Sequence, residues 1–304
     1  MKRLPSGEKL LTGARQTMQS WVKVIESFDE IPPAYKDGLL DTLKDIDHFP
    51  YMVLAPPVSG SRFQPAERLI FWLDDALYIL ERKLDQINLL AFPKEEIGML
   101  EVGKVLLYSW FTVTGLTTQG SKHVSTVVYN TSTHRHLQSF FDHIRSLPEK
   151  KISSERTEFA PLERLSFKFA NFARNSLKGD EKIITSLWQP EISRPIFPFF
   201  KKLFSRLLSP AHLTIITELE LIFIEDDLHS PQVKGKHYGG IWQYIPLQNL
   251  VSVSNIERDG GLFTLIFNIK PDTSVKRTFD TDTTYQALKL KAELEKIIRV
   301  YSKI

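Results

Sequence analysis

A chain of 304 residues with 42% apolar and 25% charged residues has the composition of a folded globular protein with room for two domains of ordinary size. It contains no cysteine, which excludes disulfide bonds and thiolate metal sites. Its net charge of +3 argues against nucleic acid as a partner, and no stretch has the roughly 18 uncharged apolar residues that span a membrane, so we expect a cytoplasmic protein.

The N-terminal residues 1–48 are predicted to form a pair of helices. Apolar residues recur there at steps of three and four, which is typical of an amphipathic helix. The first set is Leu11, Ala14, Met18, Trp21, Val22, Ile25 and Phe28. Ile31-Pro32-Pro33 ends this helix, and Pro33 suits the first turn of the next one. The stripe of the second helix is Tyr35, Leu39, Leu43 and Ile46.

Residues 49–148 are predicted to form a β-rich domain that ends in a helix. Short runs rich in β-branched and aromatic residues, separated by turn residues, predict its strands. They lie at about 51–55, 68–73, 77–81, 88–92, 97–101, 105–113 and 123–129. Asp74-Asp75 predicts a tight turn between two of these strands, and Pro148 ends the closing helix. The apolar face of that helix is Leu137, Phe140, Phe141, Ile144 and Leu147.

Residues 149–179 are predicted to be a charged linker followed by an amphipathic helix that Pro161 opens. The inward side chains of that helix are Leu162, Leu165, Phe169 and Phe172. Residues 180–304 then form a second β-rich domain, with strands at 183–188, 213–217 and 219–225, a strand ending at Ile245-Pro246, and another from Leu250. A turn through Asp259-Gly260-Gly261 precedes the last strands. The closing helix presents Ala287, Leu290, Leu294, Ile297 and Tyr301.

The two β-rich segments repeat one pattern. Pro93 corresponds to Pro246, and Tyr129-Asn130-Thr131 corresponds to Phe279-Asp280-Thr281. The second copy resembles the bacterial branch of the pleckstrin-homology (PH)-like superfamily through "HLTIITELELIFIEDD", "YGGIWQYIPLQNLVSV" and "FDTDTTYQALKLKAELEKI". The resemblance implies a mainly β, α+β chain. It would contain two tandem seven-stranded antiparallel barrels or sandwiches, each closed by its C-terminal helix.

Specific phosphoinositide recognition does not follow from this resemblance. The phosphoinositide-binding members carry a lysine late in the first strand and an Arg-x-Arg pattern in the second. Here the first strand of the second copy reads Ile-Ile-Thr-Ser-Leu-Trp from Ile183, and the second begins His212-Leu213-Thr214. What the resemblance implies is an adaptor type of protein.

The loop between those two strands, where the superfamily often binds its ligand, is the candidate contact site. No acidic residue occurs among residues 192–217, and cations alternate with aromatic rings. The candidate contacts are Arg194, Phe197, Phe199, Phe200, Lys201, Lys202, Phe204 and Arg206. A short basic amphipathic helix here would place its rings among lipid headgroups and its cations on anionic lipid. Alternatively, the rings pack on the protein's own sheets and the cations are solvated.

No catalytic residue, cofactor site or metal site is predicted. The run Asp280-Thr281-Asp282-Thr283 imitates a phosphatase nucleophile loop, but only a helix follows it, and helix capping explains it better. Three histidines crowd the first closing helix at positions 134, 136 and 143. Their spacing favours a solvated helix face over a metal site.

The preferred hypothesis is a non-enzymatic interaction module of two PH-like domains that binds a protein or peptide. An exposed sheet edge, or the groove between closing helix and sheet, is the expected docking surface. The first alternative is a peripheral protein that binds anionic membrane through residues 194–208. The second is an enzyme whose site lies between the two copies, which a polar pocket with clustered carboxylates or histidines would favour.

Overall fold

The computed structural model describes residues 21–44, 46–57, 66–83, 86–146, 160–179, 181–195, 205–228, 239–258 and 261–301. Most of the regular structure in these ranges is antiparallel β-sheet, with a few helices. The mainly β class expected from the sequence is therefore confirmed.

The described residues of the first half form eight strands and two α-helices. The strands are β1 (Lys23–Ile25), β2 (Met52–Ala55), β3 (Arg68–Leu73), β4 (Ala76–Lys83), β5 (Gln86–Pro93), β6 (Ile97–Val105), β7 (Tyr108–Leu116) and β8 (Lys122–Asn130). Helix α1 (Pro33–Leu43) lies between β1 and β2. Helix α2 (Gln138–Ile144) follows β8 after a 3-10 segment at Thr131–His136.

In the second half, the part that the structure describes forms nine strands and three α-helices. Helices α3 (Ala160–Leu165) and α4 (Phe167–Ser176) precede its strands, and α5 (Thr284–Tyr301) follows them. The strands are β9 (Ile183–Gln189), β10 (Ile192–Pro195), β11 (Ser205–Ser209), β12 (His212–Thr217), β13 (Glu220–Asp226), β14 (Gly240–Pro246), β15 (Leu250–Arg258), β16 (Leu262–Ile269) and β17 (Thr273–Phe279).

The described strands form four open sheets, so the expectation of barrels is wrong. One sheet has the order β1-β2-β3-β4-β5, and a second has the order β8-β7-β6-β14-β13-β12-β9. The strands β15-β16-β17 form a third sheet, and β10-β11 form a hairpin of their own. The physical reason is that β6 hydrogen-bonds to β14 from the other half, which fuses strands of both halves into one seven-stranded sheet.

The two halves nevertheless share one order of elements. Four strands, a 3-10 turn, three strands and a closing helix occur as β2 to β8 with α2, and again as β9 and β12 to β17 with α5. The two turns, Lys94–Glu96 and Leu247–Asn249, each follow a proline with φ near −55°. The correspondence of Pro93 with Pro246 is thus matched by the backbone. The β10-β11 hairpin is an insertion in the second half.

The predicted N-terminal helical pair is half wrong. The second helix is confirmed, because α1 begins at Pro33 and buries Tyr35, Leu39 and Leu43. Within the described part of the first helix, residues 21–28, Phe28 begins a 3-10 helix, and Lys23–Ile25 instead form strand β1, which pairs with β2. Its β-branched Val24 and Ile25 suit a strand, and pairing with the edge of β2 outweighs the helical period of the apolar residues. Residues 1–20 lie outside the described ranges.

The helix predicted after Pro161 is two helices. Ser166 is extended, and its side chain accepts a hydrogen bond from the Phe169 amide, so α4 has a helix start of its own. Leu162 and Phe169 are buried as expected, but Leu165 is 61% exposed because it lies at the end of α3. The charged linker before it, residues 149–159, lies outside the described ranges.

The helix that closes the chain is confirmed. Helix α5 buries the face that the sequence predicted, with Ala287, Leu290, Leu294 and Ile297 all at most 5% exposed. Asp280 accepts a hydrogen bond from the Thr281 amide, and Asn130 accepts one from the Ser132 amide. The two corresponding Asx residues therefore do act as caps, as predicted.

One hydrophobic core runs through both halves. It contains Val53 and Ile70 from the first sheet, Phe111 and Phe140 from around α2, and Ile215 and Ile222 from the second half. A second cluster lies beneath α5, and a third beneath α1. The halves are therefore held together in two ways: by the backbone pairing of β6 with β14 and by the packing of side chains from both halves in the first cluster.

Polar contacts reinforce this joint between the halves. The Asn249 side chain donates to the carbonyl oxygen of Ile97, with 3.0 Å between nitrogen and oxygen. Gly98 lies so close to the β16-β17 turn that an added Cβ would overlap the carbonyl oxygen of Lys270. The joint therefore depends on a glycine and an asparagine at these two positions.

Candidate functional site

The predicted contact loop is described only at its two ends. Arg194 on β10 and Arg206 on β11 are cross-strand partners, with Arg194 half-buried and Arg206 exposed. These flanks are strands, so the predicted amphipathic helix does not extend into them. The other candidates, Phe197, Phe199, Phe200, Lys201, Lys202 and Phe204, lie outside the described residues.

A cavity of about 320 Å³ lies where the halves meet, and we call it the joint cavity. Its floor is the pairing of β6 with β14, in which Val102 lies opposite Trp242 and Lys104 opposite Gly240. These residues share one face of the sheet because side chains alternate along a strand. The sequence analysis did not identify this site, because its floor comes from strands far apart in the chain.

The walls of the joint cavity come from two helical segments. His134 precedes α2, and Gln138, Phe141 and Arg145 follow at helical spacing, so they line one side. Phe172 and Asn175 on α4 line the other side. The Phe172 and Trp242 ring centroids are 4.8 Å apart. A Cβ at Gly240 would come within 2.9 Å of both rings, so the glycine leaves room for this aromatic pair.

Arg145 anchors the deep end of the cavity and is already neutralised. Its Nε donates to Glu220 Oε1 at 3.1 Å, and its Nη2 donates to the Ser176 carbonyl oxygen at 2.6 Å. The guanidinium also lies over the Tyr244 ring, 3.8 Å from the centroid. Arg145 and Glu220 are 8% and 2% exposed, so this ion pair is part of the core that links the halves.

Lys104 is the cation of the cavity that has no acidic partner among the described residues. Within the described residues, its contact is with the Trp242 ring, whose centroid is 5.8 Å from Nζ. Burial lowers the pKa of its ammonium group, since the charged form has lost part of its hydration. None of the eleven described residues that line the cavity carries a carboxylate. The site is therefore cationic and aromatic.

His134 is neutral in this setting. Its Nδ1 lies 2.8 Å from the Tyr129 hydroxyl oxygen, and its ring is 5.4 Å from that of Phe141. Burial, with a smaller contribution from Lys104, lowers its pKa to about 4. The interpretation of the three histidines as one solvated face is wrong for His134. His143 is exposed and packs on Trp72, 4.1 Å between ring centroids. In the described ranges, no three potential metal ligands cluster.

The opposite face of the joint carries a polar chain that also links the halves. Glu101 accepts hydrogen bonds from Trp110 Nε1 at 3.1 Å and from Gln243 Nε2 at 2.8 Å. Arg277 donates to Gln243 Oε1 at 2.8 Å and lies 3.4 Å from Glu225. Because the carboxylates and the amide are used by protein groups, this cluster stabilises the joint.

Strand β15 offers a second candidate surface. It pairs with β16 on one side, and among the described residues no strand pairs with it on the other. Most of its side chains are exposed, including Val251 at 49% and Ile256 at 47%. A strand edge of this kind presents unpaired N–H and C=O groups that another extended segment can satisfy.

Comparison with known proteins adds no identity. No protein-family model matches the chain, and no curated protein matches it significantly. Across the ranges that the structure describes, no helix has the length and apolar character needed to cross a membrane.

Proposed function

We propose that the chain is a non-enzymatic interaction module, built from two PH-like units, that binds an extended segment of a partner protein along β15. The proposal depends on one observation: β6, which corresponds to β15, already carries an added strand on the equivalent edge. There, residues 240–244 of β14 lie antiparallel to residues 100–104 of β6. The open edge of β15 is the surface on which a partner segment would make the same backbone hydrogen bonds.

A second copy of this chain is a poor fit to β15. Repeating the internal joint would bring β5 of another molecule to that edge, since β5 corresponds to β14. Val251 occupies the position on β15 that corresponds to Gly98 on β6, so its side chain would block the close backbone contact that Gly98 allows. Glu96 likewise corresponds to Asn249, so a carboxylate would stand where the joint has an amide that donates a hydrogen bond. The carbonyl oxygen of Ala91 on β5 is also already bonded to the Thr118 amide, at 2.9 Å. The occupant we propose is therefore a different protein.

The test uses two lysine substitutions on matched edge strands. Ile256→Lys changes a half-exposed side chain on β15, and Val124→Lys changes one that is 60% exposed on β8, an edge of the seven-stranded sheet. Proteins captured by the intact chain from its native cell are identified by mass spectrometry. We expect Ile256→Lys to lose the partner and Val124→Lys to keep it. Equal capture by both variants would contradict a site on β15.

The partner's segment then provides a sharper test. Synthetic peptides covering the captured partner are assayed for direct binding, and the binding peptide is N-methylated one residue at a time. Added strands point successive N–H groups to opposite sides, so methylation should abolish binding at every second position. Loss at consecutive positions, or at none, would rule out strand addition.

A second candidate function is peripheral membrane binding through residues 194–208. The observation in its favour is the β10-β11 hairpin, which places Arg194 and Arg206 side by side at the base of the basic aromatic loop. In this proposal the loop lies in the headgroup layer of an anionic bilayer. Flotation with vesicles of phosphatidylcholine, with and without phosphatidylserine, tests it. We expect recovery only with phosphatidylserine and loss in Lys201→Glu/Lys202→Glu; equal recovery from both vesicle types would exclude it.

A further inference from the structure

We propose that the joint cavity binds a small planar aromatic anion, whose ring lies among Phe141, Phe172 and Trp242 and whose charged group pairs with Lys104. None of the described residues that line this cavity belongs to β15 or to the predicted contact loop. The proposal of a ligand in the joint cavity does not depend on the proposed function. Three observations support it: the partners of the nearby cations, the aromatic residues that line the cavity, and the cavity volume.

The cations at and near the cavity differ in whether an oxygen atom of the protein binds them. Arg145 binds Glu220, Lys168 lies 2.5 Å from Asp226, and Lys178 donates to the Asp142 carbonyl oxygen at 2.7 Å. Lys104 has no oxygen acceptor in the parts of the chain that the structure describes, and its contact with Trp242 uses the ring face. A half-buried ammonium group with unused N–H donors favours an incoming anion, because the anion restores the interactions lost from water.

The other groups that face this space do not compete for that charge. His134 is neutral and its Nδ1 is engaged by Tyr129, while Gln138 and Asn175 are uncharged amides at the rim. The Glu220 carboxylate is neutralised by Arg145. A ligand anion therefore meets one uncompensated positive charge, which fits a monoanion.

The aromatic residues that line the cavity indicate that the anion carries a flat ring. The rings of Phe172 and Trp242 contact each other with 60° between their planes, and Phe141 also lines the cavity, beside His134. Flat rings pack well against such surfaces in offset or edge-on arrangements. A volume of about 320 Å³ lies at the small end of the range for ligand sites, so the ligand is of one or two rings.

The probe for the experiment is 1-naphthoate, with neutral 1-naphthamide as its matched control ligand. Isothermal titration calorimetry on the intact chain measures both dissociation constants. We expect naphthoate to bind at least about tenfold more tightly than naphthamide, because only the carboxylate can pair with Lys104. Equal affinity of the two ligands, or no binding of naphthoate, would overturn the proposal.

Two lysine variants locate the site. Lys104→Met keeps an apolar stem and removes the charge, and Lys289→Met removes another lysine that lies over an aromatic ring, 4.7 Å from the centroid of Tyr285 on α5. We expect Lys104→Met to weaken naphthoate binding at least about tenfold and to leave naphthamide unchanged. Lys289→Met should bind both ligands as the parent does. If Lys104→Met misfolds by circular dichroism, Asn175→Trp, which narrows the cavity from its exposed rim, replaces it. Undiminished naphthoate binding in the folded variant would contradict the assignment.

Discussion

Two buried polar residues show how strongly single side chains hold this molecule together. Arg145 and Glu220 come from different halves of the chain and are both nearly inaccessible to water. Replacing one partner leaves the other charge buried without a counter-charge, and this lowers the free energy of unfolding strongly. Replacing both partners together by apolar side chains of similar size would change it much less. Sensitivity to mutation should therefore be concentrated at such positions.

Glu220→Ala is expected to destabilise the protein by about 3–5 kcal/mol, because Arg145 loses its carboxylate partner in the core. Unfolding in urea, followed by circular dichroism, measures the change. The control is Glu293→Ala, which breaks the exposed contact with Lys296 at 2.7 Å and should cost about 1 kcal/mol or less. Similar losses in both variants would show that burial of the first pair is not what makes it important.

His212 gives the stability a dependence on pH. It is fully buried, with Nε2 donating to the Thr278 carbonyl oxygen at 2.9 Å, and burial lowers its pKa from 6.5 to about 3. The unfolded chain therefore binds a proton at this histidine below pH 6.5 that the folded chain does not. The contribution of His212 to stability is fully present above pH 6.5 and is lost progressively as the pH falls toward 3. His134 acts in the same direction between 6.5 and about 4.

Removing that imidazole should flatten the profile. In His212→Gln the free energy of unfolding, measured in urea between pH 7 and pH 5, is expected to fall less than in the parent. His48→Gln, at an exposed position, is the control and should keep the parent's slope. An unchanged slope in His212→Gln would assign the acid sensitivity to other groups.

At the scale of single elements, two glycines differ in the space around them. Gly38 lies on the exposed side of α1, where an added Cβ would meet only Ile87, at 3.9 Å. Gly98 on β6 faces the β16-β17 turn with no space at all. The first glycine weakens its helix, whereas the second allows a strand of one half to contact a turn of the other.

Alanine at the two positions should therefore shift stability in opposite directions. Gly38→Ala is expected to raise the free energy of unfolding by about 0.5–1 kcal/mol through helix propensity. Gly98→Ala is expected to lower it by about 1–3 kcal/mol, because the joint must open to admit the methyl group. Thermal and urea unfolding of both variants measure this. A neutral Gly98→Ala would mean that the turn moves away at little cost.

At the scale of the whole molecule, the halves share one hydrophobic cluster and one sheet. The first hydrophobic cluster contains residues of both, the seven-stranded sheet crosses between them, and Met99 of the first half packs in the cluster beneath α5. Neither half can unfold without exposing the apolar surface of the other.

The intact chain is accordingly expected to unfold in one transition. The calorimetric and van't Hoff enthalpies should agree, and near- and far-ultraviolet circular dichroism should give the same midpoint. Joint variants such as Gly98→Ala should move that midpoint without splitting it. Two resolved transitions in the parent chain would show that the halves are independent domains despite their shared sheet.

The sequence by itself determined the local elements and their repetition. Alternating apolar residues placed most strands within a few residues, because period and turn chemistry are local properties, and the face of α5 was read from its helical spacing. The sequence pattern wrongly predicted a helix where β1 lies. A strand of three residues at a sheet edge depends on pairing with its neighbour more than on the spacing of its own apolar residues.

Only the tertiary structure decided how the halves meet. Pairing of β6 with β14 joins strand edges that lie about 140 residues apart in the chain, and no pattern within either strand specifies its neighbour. The same pairing opens the sheets, brings Lys104 beside Trp242, and leaves β15 with a free edge among the described residues. Both candidate surfaces outside the basic loop therefore arise from a contact between distant parts of the chain, which is why local sequence patterns did not reveal them.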